Sequence, residues 1–352
     1  MTTDVDVLNW LNQLPKAELH LHIDGSLQAE RMLALAEKNG VTIPFKTLED
    51  VEKAYAFENL QSFLDLYYAG ASVLLKQEDF YHLMMDYLLK CKSQNIVHTE
   101  IMVEPQTYAP NGVSFATMMA GFERAINEAK AGWGQSVGLI LSFLRHLSEE
   151  ECLATLEEAK PFKDKFVAIG LASSEVGNPP EKFERLYAQA KAQGYGLVAH
   201  AGEEGPPSYV WDSLKRLGVD RIDHGVRSSE DAALVDYLVK HQIPLTVCPL
   251  SNVRLRVLDT MADHNILELL EQGVCVTVNS DDPAYFGGYL NENYQALHRD
   301  LGLTRAQAIK LAENSINASF MSPENKTALL KKVRAYDLET ARVSGIAAEC
   351  HQ

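Results

Sequence analysis

His20 and His22 stand one residue apart in Glu18-Leu-His-Leu-His-Ile-Asp-Gly25. In an extended strand, residues i and i+2 project from one face, so both imidazoles face one way while Leu19, Leu21 and Ile23 face the other. Two imidazoles aimed at one point suit a divalent metal better than a packed core. An H-x-H pair alone arises by chance, so its context must carry the argument. Three further segments supply that context: Val198-Ala-His-Ala-Gly-Glu203, Ile222-Asp-His-Gly225 and Val278-Asn-Ser-Asp-Asp-Pro283. His200 and Asp281 each end an apolar run and are followed by turn formers, which places them where strands stop. Three His and one Asp leave a coordination position for water, as a catalytic zinc site must. Zinc would bring the pKa of that water toward neutrality, although iron or cobalt also suits these ligand types. Glu203 lies three residues past His200 and therefore off the strand. It is a candidate acid or base whose pKa would rise in a closed pocket, with its neighbour Glu204 as the natural control. His224 ends the next apolar run and is better placed as a base or charge stabiliser than as a ligand. Alternation makes Asp281 and Asp282 point differently, one toward metal and one toward substrate. These residues describe a mononuclear metal hydrolase.

Elements must bring these positions together. Short β-rich runs are expected at Ala17–Ile23, Ile96–Val103, Ser136–Leu144, Phe166–Leu171, Gly196–Ala201, Arg221–Gly225, Ile243–Cys248 and Val274–Asn279. Segments of helical periodicity separate them, among them Glu181–Ala192, Pro207–Leu217 and Ala232–His241. Eight strands alternating with helices predict an α/β chain folded as a (β/α)8 TIM barrel, because parallel neighbours need crossover helices. The chemistry-bearing residues fall at the ends of the first, fifth, sixth and eighth strands, the face where barrel active sites lie. A doubly wound open sheet would not bring its first and last strands together so readily. Phe45–Tyr87 reads as a helical insertion after the first strand, covering the barrel mouth or padding its outside. Asn291–Tyr336 reads as extra C-terminal helices, with Thr304 as an N-cap ahead of Gln307. One domain is expected over residues 1–340, with a loosely held tail beginning near Asp337 and running through 341–352.

Composition bounds the function. A chain of 352 residues with 46% hydrophobic content suits one large barrel core. The net charge of −16 argues against coating nucleic-acid phosphates and is compatible with a neutral small substrate. Five widely spaced cysteines without a C-x-x-C suggest a reducing compartment rather than a disulfide framework. Met1–Trp10 shows no basic stretch ahead of an apolar one, and no apolar run approaches the ~20 residues of a spanning helix. A cytoplasmic location without a membrane partner is therefore expected. The oligomeric state is left open.

The motifs Pro15-Lys-Ala-Glu-Leu-His-Leu-His22, His200-Ala-Gly-Glu203, Asp223-His-Gly225, Cys248-Pro-Leu-Ser-Asn252 and Asn279-Ser-Asp-Asp-Pro283 resemble the adenosine/adenine deaminase family of the amidohydrolase superfamily. The resemblance runs from about Leu14 to about Tyr336. It implies a (β/α)8 barrel with one zinc that hydrolyses the 6-amino group of a purine and releases ammonia. It also implies that His20, His22, His200 and Asp281 are the metal ligands and that Glu203 is the proton donor to purine N1. His224 would partner the attacking hydroxide, and Asp282 would be the acceptor facing N7. Glu175 and Asp24 are the further expected substrate contacts. Two-metal relatives of this barrel carry a modified Lys after the fourth strand, where this chain reads Leu171-Ala-Ser-Ser-Glu175. The cytidine-deaminase pattern of H-x-E with P-C-x-x-C is not matched at Cys248-Pro249.

Ser173–Pro180, His200–Pro207 and Ser280–Gly288 look like the branch that acts on free adenine, giving hypoxanthine. Two positions depart from it: Asp24 is typical of nucleoside-acting members, where it contacts ribose, and Ala172 replaces that branch's Asp. Adenosine or another 6-aminopurine is the alternative substrate, and amide or ester hydrolysis on the same barrel is a more distant one. Excluding ribose needs a wall beyond the base, expected from the Ser173–Pro180 loop and the Phe57–Tyr68 segment.

Overall fold

The computed structural model describes residues 4–57 and 60–344. Helix α1 (Asp4–Gln13) leads into β1 (Lys16–Glu18), and α2 (Ala29–Asn39), α3 (Leu48–Ala54), α4 (Leu60–Ala71) and α5 (Gln77–Ser93) precede β2 (Ile96–Val103). Next come α6 (Pro105–Tyr108), α7 (Phe115–Trp133), β3 (Ser136–Leu144), α8 (Glu149–Glu158), β4 (Phe166–Ala172), α9 (Glu184–Ala192) and β5 (Gly196–Ala201). They are followed by α10 (Pro207–Asp212), β6 (Arg221–His224), α11 (Ala232–His241), β7 (Leu245–Val247), α12 (Pro249–Arg254), α13 (Ile266–Glu271) and β8 (Val276–Val278). The chain ends with α14 (Pro283–Phe286), α15 (Leu290–Leu301), α16 (Arg305–Ala318) and α17 (Pro323–Ser344).

The eight strands lie in sequence order, and every neighbouring pair is parallel. This is the expected (β/α)8 barrel, and each crossover carries at least one helix. The seam between β1 and β8 is irregular. Leu21 and Asp281 form an isolated parallel bridge, with His22 N donating to Asp281 O at 3.0 Å and Asp281 N donating to His20 O at 3.1 Å. Deeper in the seam, side chains replace the ladder: Asn279 Oδ1 accepts from Leu19 N at 2.8 Å and Ser315 Oγ from Ala17 N at 3.0 Å.

This seam corrects the expected first strand, Ala17–Ile23. Regular pairing stops at Glu18 because Leu21–Ile23 divide their hydrogen bonds between Met102 on one side and Asp281 on the other. The seventh and eighth strands are likewise shorter than expected. Helix α10 ends at Asp212, and one wider helical turn, Ser213–Leu217, completes the expected segment. At the C-terminus, α17 continues through Asp337 to Ser344, where a loose tail was expected. Arg305 Nε donates to Asp337 at 2.8 Å, and Tyr336 hydroxyl donates to Trp10 O at 3.0 Å, which explains the continued order. The rest of the expected tail lies outside the described residues. Thr304 caps α16 in a reciprocal box with Gln307, as its spacing implied.

The insertion does both things its sequence allowed. Helix α4 covers the barrel mouth: Phe57, Leu60, Phe63, Leu64, Leu66 and Tyr67 pack with Leu255, Tyr285 and Phe286 from the loops after β7 and β8. Helix α5 lies outside against α7, closely enough that a Cβ on Gly121 would sit 2.4 Å from Gln77 O. Inside the barrel, Met102, Ile140, Ala168 and Val198 form an apolar plug. One layer nearer the strand starts, Arg221 Nη1 pairs with Glu100 Oε2 at 2.7 Å. No described helix is long and apolar enough to cross a membrane.

Candidate metal centre and pocket

Three imidazoles and one carboxylate converge on the axis at the strand C-termini. His20 Nε2 is 3.1 Å from His200 Nε2, and His22 Nε2 is 3.2 Å from it. Asp281 Oδ1 lies 3.3 Å from His20 Nε2 and 3.5 Å from His22 Nε2. The other nitrogen of each ring decides what these atoms offer. His20 Nδ1 faces Thr246 O at 3.1 Å and Thr246 Oγ1 at 3.0 Å, and a carbonyl can only accept, so Nδ1 carries the proton. His22 Nδ1 is 2.7 Å from Glu104 Oε1, and His200 Nδ1 faces Asp223 Oδ2 at 3.5 Å. Ser251 Oγ donates to Asp281 Oδ2 at 2.7 Å, leaving Oδ1 toward the centre.

As neutral rings in these tautomers, the three imidazoles turn nitrogen lone pairs and Asp281 turns a carboxylate oxygen toward one point. Such a set repels itself unless a cation sits among it. Ligands about 2.0–2.1 Å from one ion lie roughly 3–3.5 Å from their neighbours around it, and the observed separations fall in that range. Oxygens behind each imidazole are the usual outer partners of metal-binding histidines. The residues present therefore fit a divalent ion.

His224 also comes close, with Nε2 3.7 Å from Asp281 Oδ2 and 3.5 Å from Glu203 Oε2. On proximity alone it belongs with His20, His200 and Asp281 as a possible ligand, and His22, Asp281 and Asp282 form a second overlapping group. Asp281 and His224 adopt left-handed backbone angles, φ 62° and 64°, as does Ser173 at φ 76°. For residues with a Cβ this costs of order 1 kcal/mol each. It turns side chains at strand ends toward one point.

Beside the cluster is a pocket, partly open to solvent, with about 430 Å³ of empty space. Leu60, Phe63, Leu64, Tyr67 and Tyr68 of α4 wall it, with Leu144, Ala172, Ser173 and Leu255. The polar lining includes Glu203, His224, Asp281 and Asp282. Glu203 Oε1 and Asp282 Oδ1 are buried without a hydrogen-bond partner. Burial, reinforced by the charges of Asp281 and Glu175, pushes the Glu203 carboxyl well above the usual carboxylate range. Burial and then Asp281 do the same to Asp282. Glu204 is only half-buried and lies outside the lining, as its role of control implied.

Two expected substrate contacts do not line the pocket. The Asp24 carboxylate accepts from Tyr67 hydroxyl at 3.3 Å and from Tyr108 hydroxyl. Glu175 accepts four consecutive backbone N–H groups, those of Gly202 (2.7 Å), Glu203 (3.1 Å), Glu204 (2.9 Å) and Gly205 (2.8 Å). Its oxygens are saturated by the turn that carries Glu203. The sequence reading missed Glu104, Thr246 and Ser251. Glu104 directly follows β2 and Ser251 stands inside the Cys248–Asn252 motif, so position at a strand end was the available signal.

A parallel barrel with a histidine and aspartate cluster at its C-terminal face defines a class of metal-binding barrel hydrolases. A family model described as adenosine deaminase matches residues 15–336, and the chain belongs to that family. An adenine deaminase of Pseudomonas syringae pv. tomato is 56% identical over 315 residues, covering 90% of this chain and 99% of the relative. One from Bordetella parapertussis is 57% identical over 310 residues, covering 88% and 98%. The crystal structure of adenine deaminase from Arthrobacter aurescens superposes with a TM-score of 0.90 at 47% identity, covering 92% of this chain and 98% of that one. An amidohydrolase from Burkholderia ambifaria, solved with bound Zn, gives a TM-score of 0.89 at 26% identity over 98% and 96% of the two chains.

Proposed function

We propose that the protein is a zinc-dependent aminohydrolase that converts adenine and water into hypoxanthine and ammonia. The observation that carries this reading is Glu203: a buried carboxyl with one oxygen unpartnered, its pKa raised by burial, beside a metal-fitting cluster in a mostly apolar pocket. Addition of water at C6 breaks the ring's conjugation and gathers electron density on N1. An acid positioned at N1 supplies a proton as that density forms, so its interaction is stronger in the transition state than in the ground state.

His20, His22, His200 and Asp281 would hold the zinc, which when bound makes water nucleophilic at neutral pH. His224 faces Glu203 and Asp281, where it can hydrogen-bond the incoming water oxygen. Asp282 faces the substrate side. N7 of the common adenine tautomer carries a lone pair, so Asp282 donates to it from its protonated form rather than accepting. The aromatic and aliphatic wall of α4 keeps bulk water from the reacting carbon.

The free base is favoured over the nucleoside by two features. Tyr67 and Tyr108 occupy the carboxylate of Asp24, so it is not open to a ribose hydroxyl. Helix α4 and Leu255 wall the pocket, and on this reading they are the surface that a sugar on N9 would meet. The adenine deaminases that share more than half of this chain's residues support the same reading. The test is kcat/KM of the metal-replete protein for adenine and adenosine side by side. Adenine is expected to lead by at least ~10³, because a steric clash exceeds the misfit of one group. Comparable turnover, or faster turnover of adenosine, overturns the substrate assignment.

A further inference from the structure

His264 and Asn252 take no part in the reaction just described, yet both are buried, and Asn252 lies between His264 and His224. The backbone N–H of Ile266, in the first turn of α13, donates to His264 Nδ1 at 3.2 Å. A backbone N–H can only donate, so Nδ1 is an acceptor and a neutral His264 carries its proton on Nε2. Burial lowers the His264 pKa to about 4, in keeping with a neutral ring. Its Nε2–H faces Asn252 Oδ1 at 3.3 Å, which fixes the amide with its oxygen toward His264. Asn252 Nδ2 then faces His224 Nδ1 at 3.3 Å and donates to it. His224 is left with its proton on Nε2, the atom that looks at Glu203 and Asp281.

From this chain of donors, and resting on the deaminase reading, we propose that His264 and Asn252 are positioning residues that hold His224 in its Nε2–H tautomer. The polarity is opposite to that of the neighbouring rings. His20 and His22 have acceptors behind Nδ1 and so present lone pairs from Nε2. His224 has a donor behind Nδ1 and presents a hydrogen. That difference sets His224 apart from His20 and His22, which their positions alone do not. It also gives His224 a donor's task, a hydrogen bond to the incoming water oxygen, rather than that of a resting base.

The tautomer is read directly. Protein labelled with ¹⁵N-histidine and loaded with zinc is examined by long-range ¹H–¹⁵N spectroscopy, with His224→Gln and His264→Gln assigning the two signals. Both rings are expected to be protonated on Nε2 and bare on Nδ1; a His224 ring protonated on Nδ1 overturns the proposal. The kinetic arm compares His264→Phe with His264→Gln. Loss of the outer partner of a metal-bound histidine typically costs 10–100-fold, and a loss of that order is expected for the partner chain behind His224. His264→Phe should therefore lower kcat by at least about 10-fold with KM and zinc content little changed. Glutamine, which can return an N–H to Asn252 Oδ1, should recover most of that loss. Unchanged kcat in His264→Phe overturns the positioning role. If the unaltered protein turns over no adenine, the function reading fails while the spectra still decide the tautomer.

Discussion

On the proposed function Glu203 acts as an acid, and its surroundings favour that form. Burial and the nearby carboxylates favour the neutral form, whereas a solvated glutamate at neutral pH would already have lost its proton. Glu203→Gln keeps the shape and removes the proton. With metal content unchanged, kcat should fall by at least ~10², the usual worth of a positioned proton donor. Glu204→Gln should cost far less, and equal losses in the two variants would reject the assignment. The working form is the protonated one, so kcat should decline as pH rises through the raised pKa. That alkaline limb should be missing from the residual rate of Glu203→Gln. At the cluster, His20→Ala and Asp281→Ala each delete one of the four converging atoms. Elemental analysis should find bound metal lost in both, and full occupancy in both would refute the ligand set.

At the scale of elements, the turn after β5 is held by a residue from the loop after β4. Glu175 gathers four successive amides, and this charge-assisted clamp fixes the direction in which Glu203 leaves the backbone. Gly205 is required for it, since a Cβ there would lie 2.4 Å from Glu175 Oε1. Gly205→Ala must push the carboxylate away or distort the turn. Loss of about 1–3 kcal/mol of stability is expected, together with a lower kcat, because the same displacement moves Glu203. Thermal denaturation and steady-state kinetics measure both, and a variant unchanged in each would show that the clamp does not position the acid.

Over the whole molecule, barrel closure and the metal cluster are one problem. β1 and β8 meet through the Leu21–Asp281 bridge, within the segments that carry His20, His22 and Asp281. Without a cation, the facing lone pairs push this seam apart. Any ion that binds only the folded barrel stabilises it by mass action, about 4 kcal/mol at a free concentration 1,000 times its Kd. Removal of metal by a chelator should lower Tm, and added zinc should restore it. A Tm indifferent to chelation would mean that the cluster does not hold an ion in the folded protein.

Local chemistry was legible in the sequence because it is written in short spacings. The i, i+2 histidines, the acids just beyond strand ends, the alternation of β-rich and helical runs and the Thr304–Gln307 cap each depend on residues within a few positions. The (β/α)8 order follows from that alternation. What only the tertiary structure decided depends on residues far apart in the chain. Tyr67 and Tyr108 hydroxyls reach the Asp24 carboxylate from distant helices, and the amides of residues 202–205 reach that of Glu175 from the next loop. The first strand was read too long because its upper half shares bonds with two different neighbours, which no pattern within Ala17–Ile23 reveals. Helical periodicity identified α4 but gave no reason to set it over the mouth rather than on the outside; the Leu255, Tyr285 and Phe286 side chains of distant loops did that. The proton on His224 is settled furthest away of all, by a backbone amide at Ile266, since a histidine's tautomer is fixed by what faces its other nitrogen.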